Sequence, residues 1–185
     1  IERWTTIGAR CRIGHGAKLG GDPQHRHYDG APSYLRIGDD CDIRELVTIH
    51  RSASPEGTTA LGHHVFIMAQ AHIAHDCAIG DHVVVASLAA LAGHVEVEEW
   101  VTIGGVTGIH QFVRVGSYGM VGGGSRVVQD VPPFMLGAGN PTTIHGLNAI
   151  GLRRAAFPPG VRRALKQAYR LLYRSGLNVS QALAT

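Results

Sequence analysis

Aliphatic residues recur every six positions along most of this chain, and that spacing constrains the fold more than any other feature. Ile7, Ile13 and Leu19 start the series, and Ile37, Ile43 and Ile49 continue it. From Leu61 it is unbroken: Ile67, Ile73, Ile79, Val85, Leu91, Val97, Ile103, Ile109, Val115, Val121 and Val127. Of the 21 positions in this phase between 7 and 127, only His25, Ala31 and Pro55 are not Ile, Leu or Val. A period of six matches neither the 3.6 of a helix nor the alternation of an ordinary strand. It matches a hexapeptide repeat, in which a short strand and a turn make one side of a triangular coil of about 18 residues.

Two further columns keep the same count. The residue after the aliphatic is often Gly or Ala, as at Gly62, Ala74, Gly80, Ala86, Ala92 and Gly104. The residue four after it is small or β-branched, as at Val65, Ala71, Cys77, Val83, Ala89 and Val95. The aliphatic points into the prism, the small residue packs beside it, and Gly relieves the corner. The expected fold is therefore an all-β solenoid, a parallel β-helix over residues 1–131. Composition agrees, with 25 Gly in 185 residues and 44% hydrophobic but only 6% aromatic residues. Few charges and many aliphatics exclude a disordered chain, and Gly at this level argues against a helical bundle.

Residues 20–36 and 51–60 are rich in Gly, Pro, Ser and polar residues and read as two excursion loops from the prism. Long loops on a rigid scaffold are where function tends to sit. Residues 132–185 form a C-terminal extension, helical from about 160, with Val161, Leu165, Ala168, Tyr169 and Leu172 on one face and Gly176 as a C-cap. In the segment 83–92, Val84, Ala86, Leu88 and Ala90 should point outward, an apolar face that predicts a subunit contact. Cys11, Cys41 and Cys77 fall in the small inward column and read as buried thiols, in keeping with a reducing, cytoplasmic setting. No apolar run is long enough for an integral membrane segment. The first residues do not read as a signal peptide.

Net charge is +3, but it is unevenly placed. Beyond Asp130 there are seven Lys or Arg and no Asp or Glu, so the remaining ten basic and fourteen acidic residues leave the body at −4. A basic segment on an acidic body predicts an anionic partner.

Coil arithmetic selects a candidate site. Residues 18 apart stack on adjacent coils at about 4.8 Å, so His75, Gly93 and Gln111 form a column flanked by His94. His75 precedes Asp76. An imidazole with a carboxylate partner is held in one tautomer and becomes a better base, and a nearby Gly N–H is a credible oxyanion donor. These three suggest acyl-transfer chemistry. Zinc-assisted hydrolysis from a histidine set is the rival, weakened because no third ligand column is evident. His63, His64 and His82 read as solvated residues near turns.

The stretches TIHR (48–51), AHIAHDC (71–77), LAGHVEV (91–97), IGGVTGIHQF (103–112), VQDVPPF (128–134) and GNPTTIHGLN (139–148) resemble the bacterial UDP-N-acetylglucosamine O-acyltransferase family. The resemblance continues through GLRRAAF (151–157) and AYRLLYRSG (168–176). It implies a left-handed parallel β-helix that forms a homotrimer with active sites between subunits. It implies transfer of a 3-hydroxyacyl chain from acyl carrier protein to the sugar 3-hydroxyl, an early step of lipid A synthesis in the cytoplasm. By the resemblance His75 is the general base, Asp76 its partner and Gly93 the oxyanion donor. Substrate contacts are implied at Gln24, His27, His50, His72, His94, His110, Gln111, Asn148, Arg153 and Arg154. No metal or cofactor is implied beyond the phosphopantetheine thioester of the carrier protein, and no nucleic acid partner. The basic extension would face the acidic carrier protein and the sugar diphosphate.

The chain also departs from the family. Its first loop reads Pro23-Gln24-His25-Arg26-His27-Tyr28 where the family usually has PQDLKY. Ile150 and Ala155 stand where an acidic residue and an Arg are usual. About two N-terminal coils and most of the helical region are missing relative to the family, so the chain reads as a shortened or divergent form. A different nucleotide-sugar acceptor, an acyl-CoA donor, or a non-catalytic trimeric sugar-nucleotide-binding role are the alternatives.

Overall fold

The computed structural model describes residues 1–184. Short strands wind into six coils. The first coil is β1 (Thr5–Ile7), β2 (Arg12–Ile13) and β3 (Lys18–Gly21), and the second is β4 (Tyr34–Ile37), β5 (Asp42–Ile43) and β6 (Thr48–His50). The third is β7 (Thr58–Leu61), β8 (Phe66–Ile67) and β9 (His72–Ile73), and the fourth is β10 (Ala78–Ile79), β11 (Val84–Val85) and β12 (Ala90–Leu91). The fifth is β13 (Glu96–Val97), β14 (Thr102–Ile103) and β15 (Gly108–Ile109), and the sixth is β16 (Arg114–Val115), β17 (Met120–Val121) and β18 (Arg126–Val127). Every third strand pairs in parallel, giving three sheets: β1-β4-β7-β10-β13-β16, β2-β5-β8-β11-β14-β17, and β3-β6-β9-β12-β15-β18.

The inward column forms the core. Ile43, Ile49, Ile67, Ile73, Val85, Leu91, Ile103, Val115, Val121 and Val127 are all fully buried. Each such side chain contributes about 1.5–3 kcal/mol by leaving water. Ile13, on the first described coil, is 37% exposed. Cys11, on the same coil, is only half-buried, while Cys41 and Cys77 are buried as expected. Burial pushes the Cys41 thiol up to about 11 and that of Cys77 up to about 12. Both therefore stay protonated at neutral pH.

The corners differ from expectation. The left-handed residue at each corner lies three after the aliphatic and is seldom Gly: Asp40, Leu46, His64, Gln70, Asp76, His82, Leu88, His94, Trp100, Val106, Phe112 and Tyr118 all have φ between 56° and 65°. The Gly directly after the aliphatic serves a different need. At Gly38 a Cβ would lie 2.5 Å from the Gly62 carbonyl oxygen of the next coil. Close coil-to-coil approach, not backbone handedness, calls for Gly there. The left-handed side chains on one corner stack into a ladder, with ring centroids 4.7 Å apart for His64–His82, 4.0 Å for His82–Trp100 and 6.0 Å for Trp100–Tyr118. His63 is exposed, as expected, and its Nδ1 accepts from Asp39 N–H at 3.0 Å.

From the third coil on, paired residues are 18 apart, as in Ile67 with Val85. Ile7 pairs with Ile37, a step of 30, and Ile37 with Leu61, a step of 24. The excursions therefore insert 12 and 6 residues, whole hexads in each case. The three lattice breaks at His25, Ala31 and Pro55 are those three hexads. Both excursions are shorter than the ranges 20–36 and 51–60, because β3 runs to Gly21 and both β4 and β7 extend back to Tyr34 and Thr58.

Regular structure in the extension begins well before residue 160. β19 (Met135–Ala138) adds in parallel to β17, and β20 (Thr143–Leu147) turns back antiparallel to it, capping the second sheet. Helix α1 (Ala149–Arg154) follows, then α2 (Pro159–Arg174) and α3 (Val179–Leu183). Asn148 caps α1 by accepting from Gly151 N–H at 3.0 Å, a short-range polar signal with no helical periodicity behind it. Of the α2 face expected to be apolar, Tyr169 is buried and Leu165 half-buried, whereas Val161, Ala168 and Leu172 are exposed. Tyr169 docks α2 by donating to the His145 carbonyl at 3.1 Å. Gly176, with φ 75°, does follow the end of α2. No described helix is long and apolar enough to cross a membrane.

Candidate active site

The third sheet carries a groove of about 520 Å³ on its outer surface. Its outward column reads Thr48, His72, Ala90, Gly108, Arg126 by strand pairing. Ala90 and Gly108 are small, so a trough opens between His72 and Arg126. Ala74, Ala92 and His110 line it alongside, and His75, Gly93 and Gln24 close one end.

His75 and Asp76 sit at the corner after β9. Successive side chains in a strand point to opposite faces, but here the turn, with Asp76 at φ 60°, brings them together. His75 Nδ1 lies 2.7 Å from Asp76 Oδ2, with both side chains about nine-tenths buried. Asp76 also accepts from the Ser52 hydroxyl and from Ala53 N–H at 3.1 Å. Its own N–H donates to Thr59 Oγ1 at 2.8 Å. Burial pushes the Asp76 carboxyl up, yet the hydrogen bonds from Ser52, His75 and Ala53 outweigh it and hold the carboxyl below its ordinary value. Asp76 is thus a carboxylate that fixes the Nδ1–H tautomer of His75. That leaves Nε2 as a proton acceptor.

Gly93, on the coil above, lies against the His75 ring. A Cβ there would fall 2.5 Å from His75 Cε1 and 2.8 Å from Nε2. Only Gly admits the imidazole at this distance. The Gly93 N–H has no acceptor among the described residues. His94, on the coil above, brings its Nε2 to 3.6 Å from Asp76 Oδ2 and its ring edge-on to His75 at 5.4 Å. His72 contacts Thr48 Oγ1 at 2.7 Å and meets His50 edge-on at 5.2 Å. Burial lowers the pKa of both His50 and His72, with mutual repulsion adding to it at His72.

Residues 130–185 match the family described as UDP-N-acetylglucosamine O-acyltransferase, domain 2, and residues 58–93 match the bacterial transferase hexapeptide (six repeats). The acyl-[acyl-carrier-protein]–UDP-N-acetylglucosamine O-acyltransferase of Burkholderia lata is 49% identical over 177 residues, covering 95% of this chain and 68% of that protein. The Syntrophobacter fumaroxidans protein of the same name is 49% identical over 185 residues, covering 99% and 72%. Among solved structures, the UDP-N-acetylglucosamine O-acyltransferase of Moraxella catarrhalis superposes with a TM-score of 0.93 at 43% identity, covering 97% of this chain and 70% of that one. The Bacteroides fragilis UDP-N-acetylglucosamine acyltransferase gives 0.94 at 36% identity, covering 97% and 71%. This chain belongs to the UDP-N-acetylglucosamine O-acyltransferase family. Its prism is the left-handed parallel β-helix of that family, with a short helical segment after it.

The chain brings only part of the expected site together. Gln24, His72, His75, Gly93 and His110 line the groove, with Asp76, His94 and His50 behind or beside them. His27 and Gln111 are exposed and do not line it. Asn148 spends its side chain on the α1 cap and on the Tyr118 carbonyl, 2.9 Å away. Arg153 lines a separate cavity of about 370 Å³ with Leu152, Arg162, Arg163 and Lys166, and Arg154 lines neither.

Three residues went unanticipated. Arg126 was reachable by the 18-residue count from His72. Ser52 and Ala53 were not, because the second excursion makes the step beneath Asp76 24 residues rather than 18. A third potential ligand also emerges. The ligating atoms of His75, Asp76 and His94 lie within 4.8 Å of one another. The Asp76 oxygens, however, are already engaged by Ser52, Ala53 and His75.

Proposed function

We propose that the chain transfers a 3-hydroxyacyl group from the thioester of acyl carrier protein to the 3-hydroxyl of UDP-N-acetylglucosamine, with His75 as general base. The observation that carries this reading is His75 itself: Nδ1 tied to a braced carboxylate, ring seated on Gly93 at the end of a small-residue groove. His75 Nε2 takes the hydroxyl proton as the sugar oxygen attacks the thioester carbon. The Gly93 N–H stabilises the oxyanion of the tetrahedral intermediate. Collapse breaks the C–S bond, and the imidazolium gives its proton to the leaving thiolate.

Ala90, Ala92 and Gly108 give the acyl chain a floor without bulk. Asn148, Arg153 and Arg154 act from a neighbouring copy, since within one chain none of them lines the groove. The exposed apolar corner of Leu46, Leu88 and Val106 supports such a trimer. The acid-free extension suits an acidic carrier protein. Three free thiols are in keeping with a cytoplasmic setting.

Incubation with a 3-hydroxyacyl carrier protein and UDP-N-acetylglucosamine should give the 3-O-acyl product by mass spectrometry. His75→Asn should lower turnover by about 10²–10⁴-fold, the usual contribution of a positioned base. Turnover at the parent rate in that variant would remove His75 from the role. Other UDP-amino sugars belong in the same panel, because His25 replaces an acidic residue of the family and rests its ring on His75 at 5.4 Å.

A further inference from the structure

Arg51 is the largest fully buried side chain of the molecule. Its guanidinium reaches into the root of the first excursion, residues 22–33. Nη1 donates to the Gly20 carbonyl at 2.7 Å, and Nη2 donates to Asp22 Oδ1 and to the Tyr28 hydroxyl at 3.1 Å. The Tyr28 hydroxyl in turn donates to the Ala31 carbonyl at 2.8 Å, which closes the loop on itself. The guanidinium carbon lies 5.0 Å from the Trp4 ring centroid and 5.6 Å from that of Tyr28. A cation removed from water is costly unless its donors are engaged; here Nη1 and Nη2 are engaged at the end of β3 and the root of the loop, while Nε has no partner among the described residues. Between Asp22 and Tyr28 that loop carries Gln24, which lines the groove, and His25, which abuts His75.

The residues on either side of Arg51 reach toward the next coil. His50 meets His72 edge-on, and Ser52 and Ala53 hold both oxygens of Asp76. One residue thus joins the excursion on one side to the brace of the base on the other.

We propose that Arg51 is a positioning residue for the acceptor sugar nucleotide: it latches loop 22–33 over the groove so that Gln24 and His25 face the substrate beside His75. The proposal rests on the groove being the acceptor site. Arg51 touches no reacting atom and acts through Asp22 and Tyr28. A Lys cannot replace it, because a single ammonium on a flexible stem cannot span Gly20, Asp22 and Tyr28 together.

The test uses the full chain with Asp22→Asn, Tyr28→Phe and Arg51→Lys. Backbone hydrogen exchange across residues 22–33 and calorimetric binding of UDP-N-acetylglucosamine are read alongside kcat and KM. Loss of one charge-assisted hydrogen bond corresponds to about a tenfold change in an equilibrium. Asp22→Asn and Arg51→Lys should speed exchange in the loop, and weaken sugar-nucleotide binding and raise KM, each by about tenfold. Values of kcat should stay within about twofold. Tyr28→Phe should follow in the same direction to a smaller degree. Asp22→Asn is the control for folding, since its exposed amide still offers an oxygen to Nη2 and its melting temperature should hold.

Unchanged exchange across 22–33 in both charge variants would overturn the latch. Faster exchange with unaltered binding and KM would show a purely structural tie and overturn the positioning role. A parent chain that binds UDP-N-acetylglucosamine without turnover would refute the acyl-transfer reading, while the binding and exchange results would still decide the latch.

Discussion

His75 and Asp76 are neighbours in sequence, and adjacency alone would have separated their side chains. The left-handed turn at Asp76 reverses that outcome and lets the pair bond at 2.7 Å. The residues of the pair and the Gly93 column were legible from the 18-residue count. The bond itself was not, because it depends on the φ of one corner residue. Ser52 and Ala53 were hidden by the hexad inserted just after them.

The buried imidazoles lead to a prediction on pH. His50 and His72 have pKa values below the ordinary 6.5 in the folded chain, chiefly through burial. As pH falls below 6.5 the unfolded chain takes up protons that the folded chain refuses, so stability must decline through that window. It levels off once the folded values are passed. The low value of Asp76 acts in the same direction further down, as pH falls below 3.8. Urea midpoints should therefore drop between pH 7.5 and 5.5, and a His50→Gln, His72→Gln double variant should flatten that slope. An equal slope in parent and variant would contradict the assignment.

Among the elements, the strands were the most legible part and the corners the least. Two-residue strands such as β11 and β14 follow directly from the aliphatic column. The corner residue carries no such signature, since Trp, Leu, Val, Phe, Gln and Asp all occupy it. Their left-handed backbone is imposed by the coil closing on itself and costs a non-Gly residue about 1–2 kcal/mol. Gln70 is exposed at φ 60° with no side-chain partner among the described residues. Gln70→Asn should therefore stabilise the chain by about 1 kcal/mol, because Asn tolerates this region. Chemical denaturation would show it as a higher midpoint at unchanged slope. In the extension, α1 was missed because its six residues show a cap and one buried Leu152 rather than an apolar stripe. The α2 face was overestimated for a related reason. Residues spaced along a helix are buried only where something packs, and β20 reaches α2 mainly around Tyr169.

The molecule as a whole is a rod with one grooved flank and one basic end. Leu46, Leu88 and Val106, between 50% and 65% exposed, form an apolar edge on a corner away from the aromatic ladder. Leu88→Asp should convert a trimer into monomers in sedimentation velocity and abolish turnover while the isolated prism stays folded by circular dichroism. A trimer that survives the substitution would place the subunit contact elsewhere. Overall architecture was readable because each coil repeats the same few constraints. The scatter of the candidate residues was not, since nothing in a linear repeat says that Asn148, Arg153 and Arg154 lie outside the groove.

The excursions that remove 12 and 6 residues from the wall carry a consequence for how such a molecule can change. Both are whole multiples of the repeat, so every inward position down to Val127 keeps the same remainder on division by six. The solenoid behaves like text with a reading frame. Three hexads stand outside the wall, two in the loop beside His75 and one in the segment that braces Asp76, without shifting the frame downstream. Novelty in such a rod is confined to the corner where it arises, and the remaining coils have no means of registering it.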